Sequence, residues 1–195
     1  MRSFVRLCIY IGWCKIKYNV RFHNRQNVRK LDKCMICANH SNKDEPAWLY
    51  ADNNHLCIMA KAELFNNKFM AFLYKCFGIF PIRRGEKDVK SIMHAINLFK
   101  NVKKRKLLIF PEGERLTKEE EKGEAKVGPA YIAAKAGIPI VPTYITKNVD
   151  KHSKVDIIYG TPINVPKEVI KDKQKLKEFS NKLLDTIYSL RNEYR

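Results

Sequence analysis

Three short stretches of the chain hold the residue types that acid–base and phosphate chemistry need. The first is His40, followed at four and five residues by Asp44 and Glu45. A histidine within reach of a carboxylate is a general-base pair. The carboxylate fixes the imidazole tautomer and stabilises the imidazolium that forms when the ring takes a proton. The second stretch is Arg83-Arg84, and the third is Pro111-Glu112-Gly113-Glu114-Arg115. Arginines at neighbouring strand ends can grip a phosphate. Together they describe a site that deprotonates a nucleophile on a phosphate-bearing substrate. Taken singly, each has a plainer reading: a chance histidine near acids, a solvated arginine pair, a common turn. The order and spacing of the three make the case.

Each stretch follows an apolar run of strand length: Lys33–Ala38 before Asn39-His40, Gly78–Ile82 before Arg83, and Lys106–Phe110 before Pro111. Ile16, Tyr18, Val20 and Phe22 alternate with Lys17, Asn19, Arg21 and His23, the period of a half-buried strand. Further strands are expected at 55–60, 138–145 and 155–159. Helices are expected at 46–51, 61–77, 87–102, 128–136 and 166–191. Strands alternating with helices imply an α/β fold: a single domain with a mostly parallel sheet flanked by helices. Ligands in such sheets bind beyond the carboxyl ends of the strands, where the three stretches lie. The 61–77 segment carries Phe65, Phe69, Phe72 and Cys76 at helical spacing, widened by Met70, Leu73 and Phe77. It reads either as a core helix or as the lining of a tunnel for a hydrophobic ligand.

The chain of 195 residues has 38 Lys+Arg against 20 Asp+Glu, a net charge of +18, and a mean hydropathy of −0.41. Such a charge predicts a polyanionic partner, nucleic acid or anionic lipid. No helix-turn-helix, zinc or RNA-binding signature is present, so a basic nucleic-acid-binding module is the weaker reading. The first 31 residues contain eight Lys/Arg and no acid. Residues 1–15 read as a basic amphipathic, membrane-associating segment with a short interfacial helix, and 16–195 as the remaining domain. The alternative is a short helix packed on its own domain. No apolar run approaches the ~20 residues of a spanning helix. The six cysteines suit a reducing compartment and strand interiors better than disulfides. Cys34-Met-Ile-Cys37 lacks the second ligand pair a metal site would need.

Four blocks, in order, resemble those of the glycerolipid acyltransferase family, of which the 1-acylglycerol-3-phosphate (lysophosphatidate) acyltransferases are the best-known members. They are Asn39-His40 with Glu45-Pro46, Gly78-Ile-Phe-Pro-Ile-Arg-Arg84-Gly85, Phe110-Pro-Glu-Gly-Glu-Arg115, and Ile138-Pro-Ile-Val-Pro142. Ala60–Phe65 and Lys126-Val-Gly128 are similar to intervening segments, so the resemblance covers about residues 16–165.

The resemblance implies acyl transfer from acyl-CoA or acyl-carrier protein to a lysophospholipid hydroxyl, giving phosphatidate, with no metal or other cofactor. It places His40 as the base and Glu45 as its orienting carboxylate, with Asp44 as the alternative. Arg84, Glu112, Gly113, Arg115 and Lys126 would shape the acceptor's phosphate pocket. Pro142 would mark a strand-end wall near the donor. The expected place is peripheral, on the cytoplasmic face of an anionic membrane. The family's first block carries Asp where this chain has Glu45. Arg83 replaces a residue that is often acidic, and Glu114 and Leu116 replace the usual Thr and Ser. Glu114 would oppose a phosphate unless it pairs with Arg83, Arg84, Arg115 or Lys126. These departures leave another lysolipid or an amino-lipid open as acceptor, and also a relative that has kept the fold and lost the chemistry.

Overall fold

A computed structural model describes residues 2–83, 88–118 and 122–194. Seven strands form one sheet in the order β1-β7-β6-β2-β5-β3-β4. They are β1 (Asn19–His23), β2 (Lys33–Ala38), β3 (Leu56–Lys61), β4 (Ile79–Ile82), β5 (Arg105–Ile109), β6 (Ile140–Ile145) and β7 (Lys154–Tyr159). Every pairing is parallel except β6 with β7. Central β2 is apolar on both faces (Cys34, Met35, Ile36 and Cys37 are fully buried), as a parallel strand covered on both sides requires.

Helices α1 (Arg2–Ile9), α2 (Gln26–Arg29), α3 (Glu45–Asp52), α4 (Lys68–Cys76), α5 (Val89–Asn97), α6 (Gly128–Ala136) and α7 (Lys173–Ser189) cover the two faces. Cys34, Ile36 and Leu108 face Trp48 and Leu49 of α3, and Ile9, Tyr10 and Phe77 join that layer. Met35, Cys37 and Leu107 face the other way, towards Ile96 of α5, Ile132 of α6 and Leu183 of α7. Cys34 and Cys37 therefore point to opposite faces and cannot share a metal ion. Burial pushes the Cys34 thiol up to about 12, as expected of an inert core cysteine.

Two expectations need correction. The N-terminal helix continues past residue 15 as a π-helix over Tyr10–Lys17, so β1 starts at Asn19 rather than residue 16. The helix expected over 61–77 is broken. A 3-10 turn at Ala62–Phe65 ends at Asn66-Asn67, and the Asn67 side chain accepts a hydrogen bond from Met70 N, capping α4 afresh. None of α4 is buried: Phe69 is 67% exposed and Phe72 64%. It is neither a core helix nor the wall of a tunnel.

Candidate active site

Strand β2 ends at Ala38, and the next two residues are locked by side-chain bonds. Asn39 donates to Ile145 O (2.9 Å) and accepts from Ile145 N (2.7 Å), extending the β2–β6 contact by a side chain. His40 then lies flat against Phe110, at the end of β5, with ring centroids 4.0 Å apart and planes 18° from parallel. Its carbonyl accepts from Leu116 N.

The carboxylate that meets the imidazole belongs to Glu45. Its Oε2 lies 2.6 Å from His40 Nδ1, and the glutamate is fully buried. Oε1 accepts from Ser41 N (3.0 Å), Ser41 Oγ (2.8 Å) and Asn42 N (2.8 Å). The loop of residues 41–44 thus folds over the first turn of α3 and accommodates the longer side chain. A carboxylate cannot donate, so Nδ1 carries the hydrogen of this bond and the neutral ring keeps its lone pair on Nε2.

Asp44 turns elsewhere. Its Oδ2 accepts from Lys17 Nζ (2.6 Å) and Tyr18 OH (2.8 Å). Burial alone would raise this carboxyl, but those two bonds outweigh it and hold the group below the ordinary aspartate range.

Glu112 is also buried, and three donors take up its carboxylate. His40 N donates to Oε2 (3.2 Å), while Gly123 N (3.1 Å) and Tyr188 OH (2.7 Å) donate to Oε1. It ties the β2 end, the β5 loop and α7 together. Burial first, then the bond to Glu112, push the Tyr188 phenol well up. Gly123 sits so close that a Cβ there would lie 2.9 Å from Leu116 and 3.2 Å from Glu112. Gly113 holds φ at +74°, a conformation glycine reaches without strain.

Beside Phe110 opens an apolar slot of about 270 Å3. Met59, Ile82, Ile92, Ile109 and Ile132 line it, and Arg83, Gly113 and Lys126 stand on it as well. The oily lining thus comes from strand ends, α5 and α6, not from the 61–77 segment. Arg84 lies outside the described residues. Arg115 is exposed and does not line the slot. Glu114 is exposed with no ion pair among the described residues, and Lys126 pairs with Glu124 at 3.3 Å instead. Pro142, expected at a strand-end wall, is buried inside β6, where it pairs with Cys37 and its carbonyl accepts from Gly160 N. The position after it in the sheet register, Thr143, is the one level with the end of β2.

Sequence reasoning missed Ser41, Asn42, Phe110 and Tyr188. The last is 76 residues from Glu112, and no local pattern could have paired them. Ser41 and Asn42 carried a faint signal, being small polar residues just before a helix start.

The family model described as "Acyltransferase" matches residues 19–146. The chain is 29% identical over 167 residues to a 1-acyl-sn-glycerol-3-phosphate acyltransferase of Streptococcus pneumoniae (strain ATCC BAA-255 / R6), covering 82% of this chain and 61% of that protein. It therefore spans about three-fifths of that relative's length. It is 28% identical over 156 residues to the protein of the same name in Bacillus subtilis (strain 168), covering 76% of each. The crystal structure of the 1-acyl-sn-glycerophosphate (LPA) acyltransferase PlsC from Thermotoga maritima superposes with a TM-score of 0.71 at 18% identity, over all of this chain and 82% of that one. That likeness shows a shared fold.

Proposed function

The chain belongs to the acyltransferase family, and on that premise we propose that it moves an acyl group from a thioester to the free hydroxyl of 1-acylglycerol 3-phosphate. The observation that carries this reading is the buried Glu45–His40 pair at the carboxyl end of β2, next to an oily slot. His40 Nε2 accepts the hydroxyl proton as the acceptor oxygen attacks the thioester carbonyl. Glu45 steadies the imidazolium. When the tetrahedral intermediate collapses, the carbon–sulfur bond breaks and the proton passes from His40 to the departing sulfur. Backbone N–H groups supply the oxyanion donors. The slot takes an acyl chain, and Arg83, Lys126 and Arg115, with Arg84 next to Arg83 in sequence, attract the acceptor's phosphate. The thioester is already activated, so no metal or other cofactor is required.

The acceptor is a lipid, and the surface suits a bilayer. Among the described residues no helix is long and apolar enough to cross a membrane. One side of the N-terminal helix packs on α3, with Cys14 buried and Arg6 donating to Tyr50 O and Ala51 O. The other side exposes Phe4, Leu7, Ile11, Trp13 and Ile16. Helix α4 lies on the same face of the sheet and exposes Phe69 and Phe72. Lys15 and Lys17 flank the apolar stripe, as on an interfacial helix seated on an anionic leaflet.

The test is thioester-dependent acylation of a lysolipid panel by the purified protein in vesicles, with acyl-CoA and acyl-carrier protein as alternative donors. Phosphatidate formed from lysophosphatidate in preference to phosphate-free lysolipids is the expected result. Preference for a phosphate-free or amino-lipid acceptor would overturn the substrate, and no transfer from either donor would overturn the reaction.

A further inference from the structure

A second cavity opens at the amino ends of the strands, on the rim of the sheet opposite His40. It measures about 340 Å3 and lies among Arg6, Arg25, Arg29, Asp52, Lys104 and Lys106, with Asp32 at its edge. Strand β2 separates the two rims by roughly 20 Å, six residues at about 3.3 Å each. Five cations face two carboxylates here, and both carboxylates are occupied. The Asp52 side chain is only 3% exposed; one oxygen accepts from Tyr159 OH (2.9 Å) and the other meets the Arg25 guanidinium, with Arg29 more loosely placed 3.8 Å from it. Asp32 is 68% exposed and sits 3.4 Å from Lys104.

Lys106 is the residue left over. It is 9% exposed and lines the cavity, and its side-chain amine makes no hydrogen bond or ion pair with any described residue. Arg25 Nε, on the same cavity, is buried without a partner. Burial, the largest cause, pulls the Lys106 amine down, with Arg29 and Arg6 adding to the effect and Asp52 opposing it, which reflects the cost of a partly buried ammonium among like charges. A bound anion would remove that cost. Two guanidiniums and two ammoniums around one polar space offer more donors than a carboxylate has oxygens, and match the several oxygens of a phosphate.

We propose that this cavity binds a phosphomonoester-type anion between Lys106, Arg6, Arg29 and Lys104, independently of the acyl-transfer site. Two sources share that chemistry: a free phosphate ion and the phosphate headgroup of a lipid. Arg6 belongs to the helix that exposes Phe4 and Leu7, so a bilayer headgroup has a route to the cavity.

Two binding measurements on the full chain test this. The first is the thermal midpoint against inorganic phosphate at constant ionic strength. The second is co-sedimentation with vesicles containing phosphatidate or, at matched charge, phosphatidylserine. Each uses wild type, Lys106→Met, Arg29→Gln and, as a control outside both anion sites, Lys177→Ala on the exposed side of α7. Loss of Lys106 should weaken phosphate binding by about tenfold or more, since bonds to a charged donor are lost. Arg29 is 59% exposed, so its variant decides the matter if Lys106→Met does not fold. Saturable stabilisation by free phosphate, weakened in both cavity variants and kept in Lys177→Ala, supports a soluble anion. A phosphatidate preference in vesicles alone, lost in both cavity variants, supports the headgroup. Responses equal in wild type and both cavity variants, or no response to either probe, would overturn the proposal.

Discussion

At the carboxyl rim of the sheet each buried carboxylate is enclosed by donors: Glu45 by His40, Ser41 and Asn42, and Glu112 by His40, Gly123 and Tyr188. At the amino rim the imbalance has the opposite sign, and Lys106 faces a cavity in which five cations meet two carboxylates that are already paired. One short helix, α3, joins the two. Glu45 starts it and Asp52 ends it. The contrast teaches that buried charge alone does not mark a catalytic residue. In the proposed roles, a saturated carboxylate with one titratable partner orients, one held by two backbone N–H groups and a phenol braces, and a cation short of partners takes a ligand.

The largest expected effect separates two neighbouring acids. In Glu45→Gln the amide oxygen must face Ser41 and Asn42, so its NH2 turns to His40 Nδ1. That selects the tautomer with the proton on Nε2, which cannot act as base. A loss in kcat of roughly 10²–10⁴-fold is expected in steady-state transfer assays. Asp44→Asn, which touches only Lys17 and Tyr18, should stay within about threefold of wild type. The reverse ranking would reassign the orienting role. Next, Arg115→Ala should raise the KM for lysophosphatidate about tenfold and leave a phosphate-free lysolipid unchanged. An unaltered KM would remove Arg115 from the phosphate site. Glu112→Gln must place an NH2 against a backbone N–H, so urea unfolding should show a loss of about 1–3 kcal/mol.

The smallest effect is one of pH. Asp44 titrates below its ordinary value when folded, so its contribution is present above the unfolded pKa of about 3.9 and disappears as the pH falls through the folded value. Asp44→Asn should therefore unfold at lower urea than wild type near about pH 7, by about 1 kcal/mol or less, with the difference vanishing in acid. A difference that grew in acid would contradict the ion pair.

Much of this was legible because it is local. The period-two and 3.6-residue patterns located all seven strands and most of the helices, and small-residue α6 matched residue for residue. Two readings failed where solvent-facing apolar residues imitated a core. Ile16 extended the alternation of β1 into what is a helical turn, and the aromatic residues of α4 read as buried although they face outward. Apolar periodicity reports a face, not what covers it. The Asn66-Asn67 break depended on a side-chain cap that residue types alone do not compel. In the site, spacing put both Asp44 and Glu45 within reach of His40, and only the family resemblance favoured the glutamate. The roles of Phe110 and Tyr188, and the place of Pro142 inside β6, depend on strand order, which one sequence does not state. The cationic cavity was hidden for the same reason. Arg6, Arg29 and Lys106 belong to separate elements, and their charge read only as part of an overall +18.

The most direct measurement is acyl transfer from a thioester to lysophosphatidate by wild type and His40→Ala at matched fold, checked by circular dichroism. Wild type should form phosphatidate, and the variant should lose about 10³-fold or more of that turnover while binding the acceptor as before. A His40→Ala protein that turns over at the wild-type rate would contradict the base, and with it the role given to Glu45.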